Sequence, residues 1–192
     1  DMGVKAEALR TENLELRTRE FDVRRLGRVG YGEALELQAQ LVEQRRSDVL
    51  DDTLLLLEHP PVITLGVKAR GQTGNIVATP EALAAEGVEV FETGRGGDIT
   101  YHGPGQLVGY PILDLRPDRC DVHRYVRDIE EALILALAEF GIEGRRVAGR
   151  TGVWVGAAGR EEKIAAIGVR ISRWITSHGF ALNVSTNLKH FR

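Results

Sequence analysis

Two short aliphatic segments separated by a Pro-Pro pair constrain the fold most strongly. Thr53 to Leu57 is aliphatic and short enough for a buried strand, Pro60-Pro61 breaks the chain, and Val62 to Leu65 resumes extended structure before Gly66. Strand, turn and strand therefore follow one another directly. This order favours a sheet with consecutive strands over a strict alternation of strands and helices.

The remaining periodicity supplies more strands than helices. Period-two alternation or an apolar run predicts strands at Phe21–Leu26, Val88–Phe91, Gln106–Leu115, Gly152–Val155, Lys163–Ile171 and Ser177–Val184. Helices are predicted from the Tyr31-Ala34-Leu37-Leu41 stripe, from Pro80 to Ala85 with Thr79 as the cap, and from the Asp121 cap to Gly141. The fold class is therefore α/β in the broad sense (α+β), with a mixed, mainly antiparallel sheet and helices packed on it.

Length and composition indicate one folded domain. The chain has 192 residues, of which 43% are hydrophobic and 28% charged, as in an ordinary globular protein. Residues 1–20 mix both charge signs and are predicted to form a charged N-terminal extension, with the domain spanning 21–192. No apolar run approaches the roughly 18 residues of a membrane span, so no membrane association is expected.

Charge and cysteine content limit the partners and the compartment. A net charge of −3 argues against a nucleic-acid partner. The segment from Gly144 to Arg173 contains seven basic residues and two acidic ones, which fits either an acidic docking partner or a solvated surface of mixed charge.

Cys120 is the single cysteine, so neither an internal disulfide nor a Cys-x-x-Cys site can form. With no signal-peptide pattern, we expect a cytoplasmic protein.

A glycine-rich segment carries the strongest functional signal. Five glycines fall between Gly94 and Gln106, and without a Cβ their N–H groups can approach a ligand oxygen closely. Such N–H groups suit a phosphate, a carboxylate or a thioester carbonyl that gains negative charge. A tight turn would also explain the glycines. It would not explain the polar side chains in the same segment, namely Arg95, Asp98, Thr100, Tyr101, His102 and Gln106.

Other common motifs are missing from this segment. It contains neither the phosphate-binding Gly-x-x-x-x-Gly-Lys-[Ser/Thr] sequence nor the last glycine of the dinucleotide fingerprint. None of the four serines lies in a Gly-x-Ser-x-Gly elbow, so a serine hydrolase is not expected. The five histidines show no metal-ligand spacing, and we expect no metal site.

Four ordered motifs resemble one family. The segment from Arg95 to Gln106, Arg-Gly-Gly-x-x-Thr-Tyr-His-Gly-Pro-Gly-Gln, is similar to the signature of the lipoyl(octanoyl) transferases, within the biotin and lipoate protein ligase superfamily. Three further segments agree with that family, namely Glu58–Gly66, Lys163–Gly168 and Ser177–Val184. The likeness runs from about Phe21 to Phe191. It implies a biotin/lipoate ligase-like fold.

The resemblance also implies a reaction. Members transfer an octanoyl group from acyl carrier protein to a lysine of a lipoyl domain, through a cysteine thioester, in lipoate biosynthesis. The implied partners are octanoyl-acyl carrier protein, the lipoyl domains of 2-oxoacid dehydrogenases and the glycine cleavage H protein. The reaction requires neither ATP nor a cofactor. The alternatives are an ATP-dependent lipoate or biotin-type ligase, and an acyl-binding relative without turnover.

The family's functional residues map onto matched positions only. Lys163 corresponds to the lysine that lowers the pKa of the nucleophilic cysteine, because a neighbouring ammonium stabilises a thiolate. The family places that cysteine in a Pro-Cys-Gly segment beyond the position of Phe191. The present sequence does not contain that segment, so we expect a C-terminal end to be missing. The implied substrate contacts are Arg95, Gly96, Gly97, Asp98, Ile99, Thr100, Tyr101, His102, Ala166, Ile167, Gly168, Gly179, Phe180 and Ala181.

Overall fold

The computed structural model describes residues 21–69 and 78–188, and the predicted extension 1–20 and the position of Phe191 lie outside these ranges. The elements are three helices and ten strands in the described residues. In chain order they are β1 (Asp22–Arg28), α1 (Tyr31–Arg46), β2 (Thr53–Glu58), β3 (Val62–Leu65), α2 (Pro80–Ala85), β4 (Glu89–Glu92), β5 (Ile99–His102), β6 (Gln106–Ile112), α3 (Val122–Ala138), β7 (Arg145–Val147), β8 (Arg150–Val155), β9 (Glu162–Ser172) and β10 (Ile175–Asn183).

The strands form two sheets. The larger one has seven strands in the order β1-β2-β6-β10-β9-β8-β7, and only the β1–β2 pair is parallel. The smaller sheet has the order β4-β3-β5, with β3 parallel to β4 and antiparallel to β5. The predicted class, a mixed and mainly antiparallel sheet with helices, is confirmed.

Each long helix covers its own part of the large sheet. The apolar face of α1, with Ala34 and Leu41, packs on β2, β6 and β10. The face of α3 that carries Ile129, Leu133 and Leu137 packs on β8 and β9. Fully burying each such aliphatic side chain stabilises the fold by about 1.5–3 kcal/mol. No helix among the described residues is both long and apolar enough to cross a membrane.

Two strands were absent from the sequence prediction. Strand β5 lies inside the segment that we expected to be a continuous glycine-rich loop, because Ile99 to His102 pair with Leu65 to Val62 of β3. The strand has only four residues and glycines flank it on both sides, so the alternation of its side chains is not recognisable as a strand pattern in the sequence. Strand β7 has only three residues, two of them arginines, so its sequence lacks an apolar pattern, and pairing with β8 defines it. The predicted strand Gln106–Leu115 also ends earlier, at Ile112.

Candidate active site

Two of the predicted substrate-contact segments face each other across one ladder. In the antiparallel pair β9–β10, Gly168 lies opposite Gly179, Ile167 opposite Phe180, and Ala166 opposite Ala181. These segments are eleven residues or more apart in sequence, and the hairpin register alone brings them together residue by residue. The predicted contacts on β9 and β10 therefore form one continuous patch of backbone. The positions of Ala166, Gly168, Gly179 and Ala181 face one side of the sheet, and those of Ile167 and Phe180 face the other.

The glycine-rich loop lies directly on this patch. The N–H of Gly96 donates to the carbonyl oxygen of Val169 over 2.9 Å. The approach is so close at Gly168 that a Cβ there would lie 2.8 Å from the carbonyl oxygen of Gly96 and 3.2 Å from Cδ of Arg95. Only glycine fits at this position without displacing the loop.

The guanidinium of Arg95 holds the loop together from inside. It is 7% exposed and donates to the carbonyl oxygens of Thr64 (2.8 Å), Gly96 (3.0 Å) and Asp98 (2.9 Å), and to the Thr64 hydroxyl (2.8 Å). An arginine presents five N–H donors in a fixed plane, which suits such a set of acceptors. Burial lowers the pKa of Arg95 from its ordinary value. The hydrogen bonds give Arg95 a structural role in the loop. The contact with substrate that the sequence motif implies for Arg95 stays a prediction.

Two backbone N–H groups of the loop are available to a ligand. Those of Gly97 and Asp98 make no hydrogen bond to another described residue, whereas the N–H of Ile99 donates to the Asp98 carboxylate at 2.9 Å. Gly97 adopts a positive φ of 93°. Adjacent N–H groups in such a turn can bind an oxygen that carries negative charge.

His102 is fixed in one neutral form. Its Nδ1 lies 2.7 Å from Oε1 of Gln106, while the Gln106 amide donates to Asn183 Oδ1 (3.0 Å) and to the Tyr101 carbonyl (3.3 Å). Because the amide nitrogen of Gln106 is the donor, its oxygen accepts, and the proton of His102 lies on Nδ1. Burial lowers the pKa of His102 to about 3, so its Nε2 carries a lone pair at neutral pH.

Further buried aromatic and imidazole rings surround His102. His59 donates from Nδ1 to the Val29 carbonyl (2.7 Å), so its Nε2 accepts from the Tyr110 hydroxyl (2.7 Å). The ring of Tyr31 stacks on His102 with centroids 6.0 Å apart. Burial lowers the pKa of His59 and raises that of Tyr31 to about 12, which leaves both groups neutral.

Lys163 lies on β9, three residues before the patch. Its Nζ is 4.8 Å from the centre of the Trp154 ring on the neighbouring strand, and Arg150 lies 5.4 Å from the same ring. Burial, followed by the positive charge of Arg150, lowers the pKa of Lys163. A lysine in these surroundings releases and accepts a proton more readily near neutral pH than a fully solvated one.

The turn between β5 and β6 holds the segment that follows β10. The carbonyl oxygen of Gly105 accepts from the N–H groups of Val184 (3.1 Å) and Ser185 (2.9 Å) and from the Thr186 hydroxyl (3.1 Å). Gly105 has a φ of 82°, and a Cβ there would lie 2.6 Å from Oγ of Ser185. Continued by two residues, the β9–β10 register places Lys163 opposite Val184. Lys163 therefore lies two residues beyond the last β9–β10 pair, Ala165–Leu182, in the direction of the end of β10.

Sequence reasoning missed several residues of this site. Neither Gln38 nor Trp154 was singled out, and His59 entered only as part of the Glu58–Gly66 motif. His59 lies against His102, Trp154 against Lys163, and Gln38 binds the backbone of His178. Cys120, in contrast, is half-buried before α3 and donates to the Leu115 carbonyl at 3.6 Å. Within residues 21–69 and 78–188 no cluster of three or more His, Cys, Asp or Glu could hold a metal ion.

Fold and site together define an α+β domain with a glycine-rich loop that lies on a two-stranded patch. Residues 30–192 match the model of the lipoyl protein ligase A/B catalytic domain. The chain therefore belongs to the lipoyl protein ligase A/B family, as the sequence motifs predicted.

Curated relatives narrow the comparison within that family. The chain is 59% identical over 175 residues to the octanoyltransferase of Acidobacterium capsulatum, and the matched region covers 86% of this chain and 70% of the relative. It is 58% identical to the octanoyltransferase of Myxococcus xanthus, over 88% of this chain and 48% of the relative. The octanoyltransferase of Solibacter usitatus is 56% identical over 88% of this chain and 74% of its own length.

Solved structures agree on the fold. A bipartite lipoate protein ligase from Thermoplasma acidophilum superposes with a TM-score of 0.65 at 17% identity, over 88% of this chain and 64% of that one. A lipoate-protein ligase A bound with ATP gives a TM-score of 0.64 at 17% identity, over 88% and 68% of the two chains. At this level of identity the likeness shows the shared fold.

Proposed function

We propose that this chain carries the acyl-transfer site of an octanoyltransferase of lipoate biosynthesis. The observation that carries the proposal is the glycine-rich loop lying on the β9–β10 patch. The N–H groups of Gly97 and Asp98 make no hydrogen bond to another described residue, and Lys163 lies on β9 three residues before the patch. Relatives at 56–59% identity are named octanoyltransferases, which supports the predicted acyltransferase class.

Each part of the site has a task in the proposed reaction. The N–H groups of Gly97 and Asp98 bind the thioester oxygen of the donor as it gains negative charge. Lys163 exchanges a proton with the cysteine thiol that the resemblance implies, so that the thiolate attacks the octanoyl thioester and the carrier thiol leaves protonated. The neutral lysine amine of the acceptor domain then attacks the cysteine thioester. The C–S bond breaks as the amide forms, and the proton lost by the amine passes through Lys163 to the departing cysteine sulfur. The triplets Ala166–Gly168 and Gly179–Ala181 line the path of the acyl chain.

The proposed partners are octanoyl-acyl carrier protein as the donor and the lipoyl domains of 2-oxoacid dehydrogenases and glycine cleavage H protein as acceptors. Arg150 and Arg160 are exposed and make no ion pair with another described residue, so they suit an acidic partner. Arg146 does not, because it is bound to Glu131 at 2.6 Å and to the fully buried Glu130 at 3.1 Å. Reversing its charge would break that buried pair rather than test docking.

The test is transfer by the full-length protein from octanoyl-carrier protein to a lipoyl domain in the absence of ATP. We expect transfer, and we expect Lys163→Met to lower kcat by about 10²-fold or more, since general acid–base catalysis contributes that much. The control Arg124→Met changes an exposed residue of α3 and should retain the rate. Activation of free octanoate that depends on ATP would instead identify a ligase, the second candidate on this fold.

The positive charge of Arg150 is expected to act directly on Lys163. Arg150→Gln removes that charge, so the pKa of Lys163 should rise toward its ordinary value. NMR titration of the lysine side chain measures this shift, with Arg124→Gln as the matched control. An unchanged pKa in Arg150→Gln would show that burial alone lowers the pKa of Lys163.

A further inference from the structure

The backbone of His178 adopts a left-handed conformation in the middle of a strand. Its φ is 55°, although β10 pairs with β9 without a register shift from Ile175 to Leu182. A residue with a side chain is strained in this region, because its Cβ crowds the following carbonyl oxygen. Such strain persists only where surrounding contacts impose it, and it is concentrated at functional sites.

The ladder between β10 and β6 opens at this residue. The Phe180–Gly109 pair and the bridge between Ile175 and Asp114 follow the same register. Continued across the gap, this register places His178 opposite Pro111, which has no N–H to donate. The carbonyl oxygen of Pro111 already accepts from the Thr176 hydroxyl at 2.7 Å. The N–H of His178 instead donates to an acceptor outside the sheet.

Gln38 of helix α1 is that acceptor. Its Oε1 accepts from the N–H of His178 over 2.7 Å, across 140 residues of sequence. Both residues are buried, with 3% of Gln38 and 6% of His178 exposed. The Nε2 of Gln38 has no hydrogen-bond partner among the described residues. The bond to His178 thus satisfies the oxygen end of this buried carboxamide, which would otherwise be still less favourable to bury.

A continuous set of contacts leads from His178 to the glycine-rich loop. His178 lies opposite Val169 in the β9–β10 ladder, and the Val169 carbonyl oxygen accepts the N–H of Gly96. The His178 ring lies edge-to-face with Tyr110, with centroids 6.2 Å apart. Burial, then the charges of Arg95 and Arg170, lowers the pKa of His178 to about 4.

We propose that Gln38 and His178 are positioning residues for the acyl-transfer site. Gln38 holds the strained backbone of His178, and His178 in turn fixes the position of Val169, whose carbonyl oxygen binds the glycine-rich loop. The inference rests on the proposed function for its catalytic consequence. Neither residue needs to touch the reacting atoms, since both act through Gly96 on the N–H groups of Gly97 and Asp98. We therefore expect an effect on kcat more than on KM.

The first test is Gln38→Met, which removes the acceptor at similar side-chain length, with Gln40→Met on the exposed face of the same helix as control. Amide hydrogen exchange of the ligand-free protein should accelerate about tenfold at His178 and at Gly96, as expected for the loss of one hydrogen bond, and remain unchanged at Ala165. In the transfer assay kcat should fall about tenfold with KM close to that of the unaltered protein.

The proposal would be overturned if amide exchange in Gln38→Met accelerated at His178 alone, while exchange at Gly96 and kcat stayed at the values of Gln40→Met. If the unaltered protein transfers no octanoyl group, the proposed function fails, while the exchange at Gly96 still decides whether Gln38 supports the loop.

A second pair of variants measures the backbone strain at His178 itself. His178→Gly should unfold at higher urea concentration than His178→Ala, which reverses the usual order in a strand, and the usual order would contradict the strain.

Discussion

Replacing Arg95 with methionine is expected to lower the free energy of unfolding by about 2–4 kcal/mol, since buried acceptors that lose a charged donor are costly. The carbonyl oxygens of Thr64, Gly96 and Asp98 each lose the guanidinium as donor. The loop would then lose the shape that presents the N–H groups of Gly97 and Asp98. Octanoyl transfer should fall by about 10²-fold or more, the usual effect of disturbing an oxyanion-binding donor.

Urea titration and the transfer assay measure the two effects of this change. The control Arg124→Met, at an exposed position of α3, should change the unfolding free energy by less than about 0.5 kcal/mol. A variant Arg95→Met that is as stable as this control would show that the buried network of Arg95 does not hold the loop. Arg95→Lys is expected to recover only part of the stability, because an ammonium cannot reproduce the planar set of donors.

Mild acid should destabilise the domain well above the pH at which carboxylates are protonated. His59, His102 and His178 are buried with lowered pKa values, about 3 for His102 and about 4 for His178. Below pH 6.5 the unfolded chain takes up protons at these rings, whereas the folded chain takes them up only at lower pH. The stability present above that pH is therefore lost as pH falls, at up to about 1.4 kcal/mol per pH unit for each histidine.

Urea titrations between pH 7.5 and about pH 5 test this expectation, and His102→Gln separates one contribution. In this variant the slope of the unfolding free energy against pH should be smaller by close to the contribution of one bound proton. The matched change His123→Gln, at an exposed position of α3, should leave the slope as it is. Stability that stays constant over this pH range would show that the three rings accept protons in the folded state.

Local sequence signals predicted the regular elements well where one physical pattern dominates. Helix α2 spans Pro80–Ala85 as expected, and Thr79 Oγ1 caps it by accepting from the N–H of Ala82 at 3.2 Å. Strand β3 has the predicted bounds, since Pro60-Pro61 and Gly66 delimit it. Strand β5 was missed because pairing with β3, rather than its own composition, makes it extended.

The candidate site was predicted as motifs but not as an arrangement. The register that places Ala166–Gly168 opposite Gly179–Ala181 depends on the turn at Arg173 and Trp174, both with positive φ (51° and 66°). Asn-Gly or Asp-Gly would have signalled such a two-residue turn, whereas Arg-Trp does not. The inward orientation of Arg95 and the bond from Gln38 to His178 are long-range contacts, and no local pattern encodes them.

Octanoyl transfer by this site should be visible in the mass of the full-length protein after exposure to octanoyl-carrier protein without ATP. We predict one added octanoyl group on a cysteine, which disappears when a lipoyl domain is supplied and reappears on a lysine of that domain. A protein whose mass does not change, together with a lipoyl domain that remains unmodified, would contradict the account.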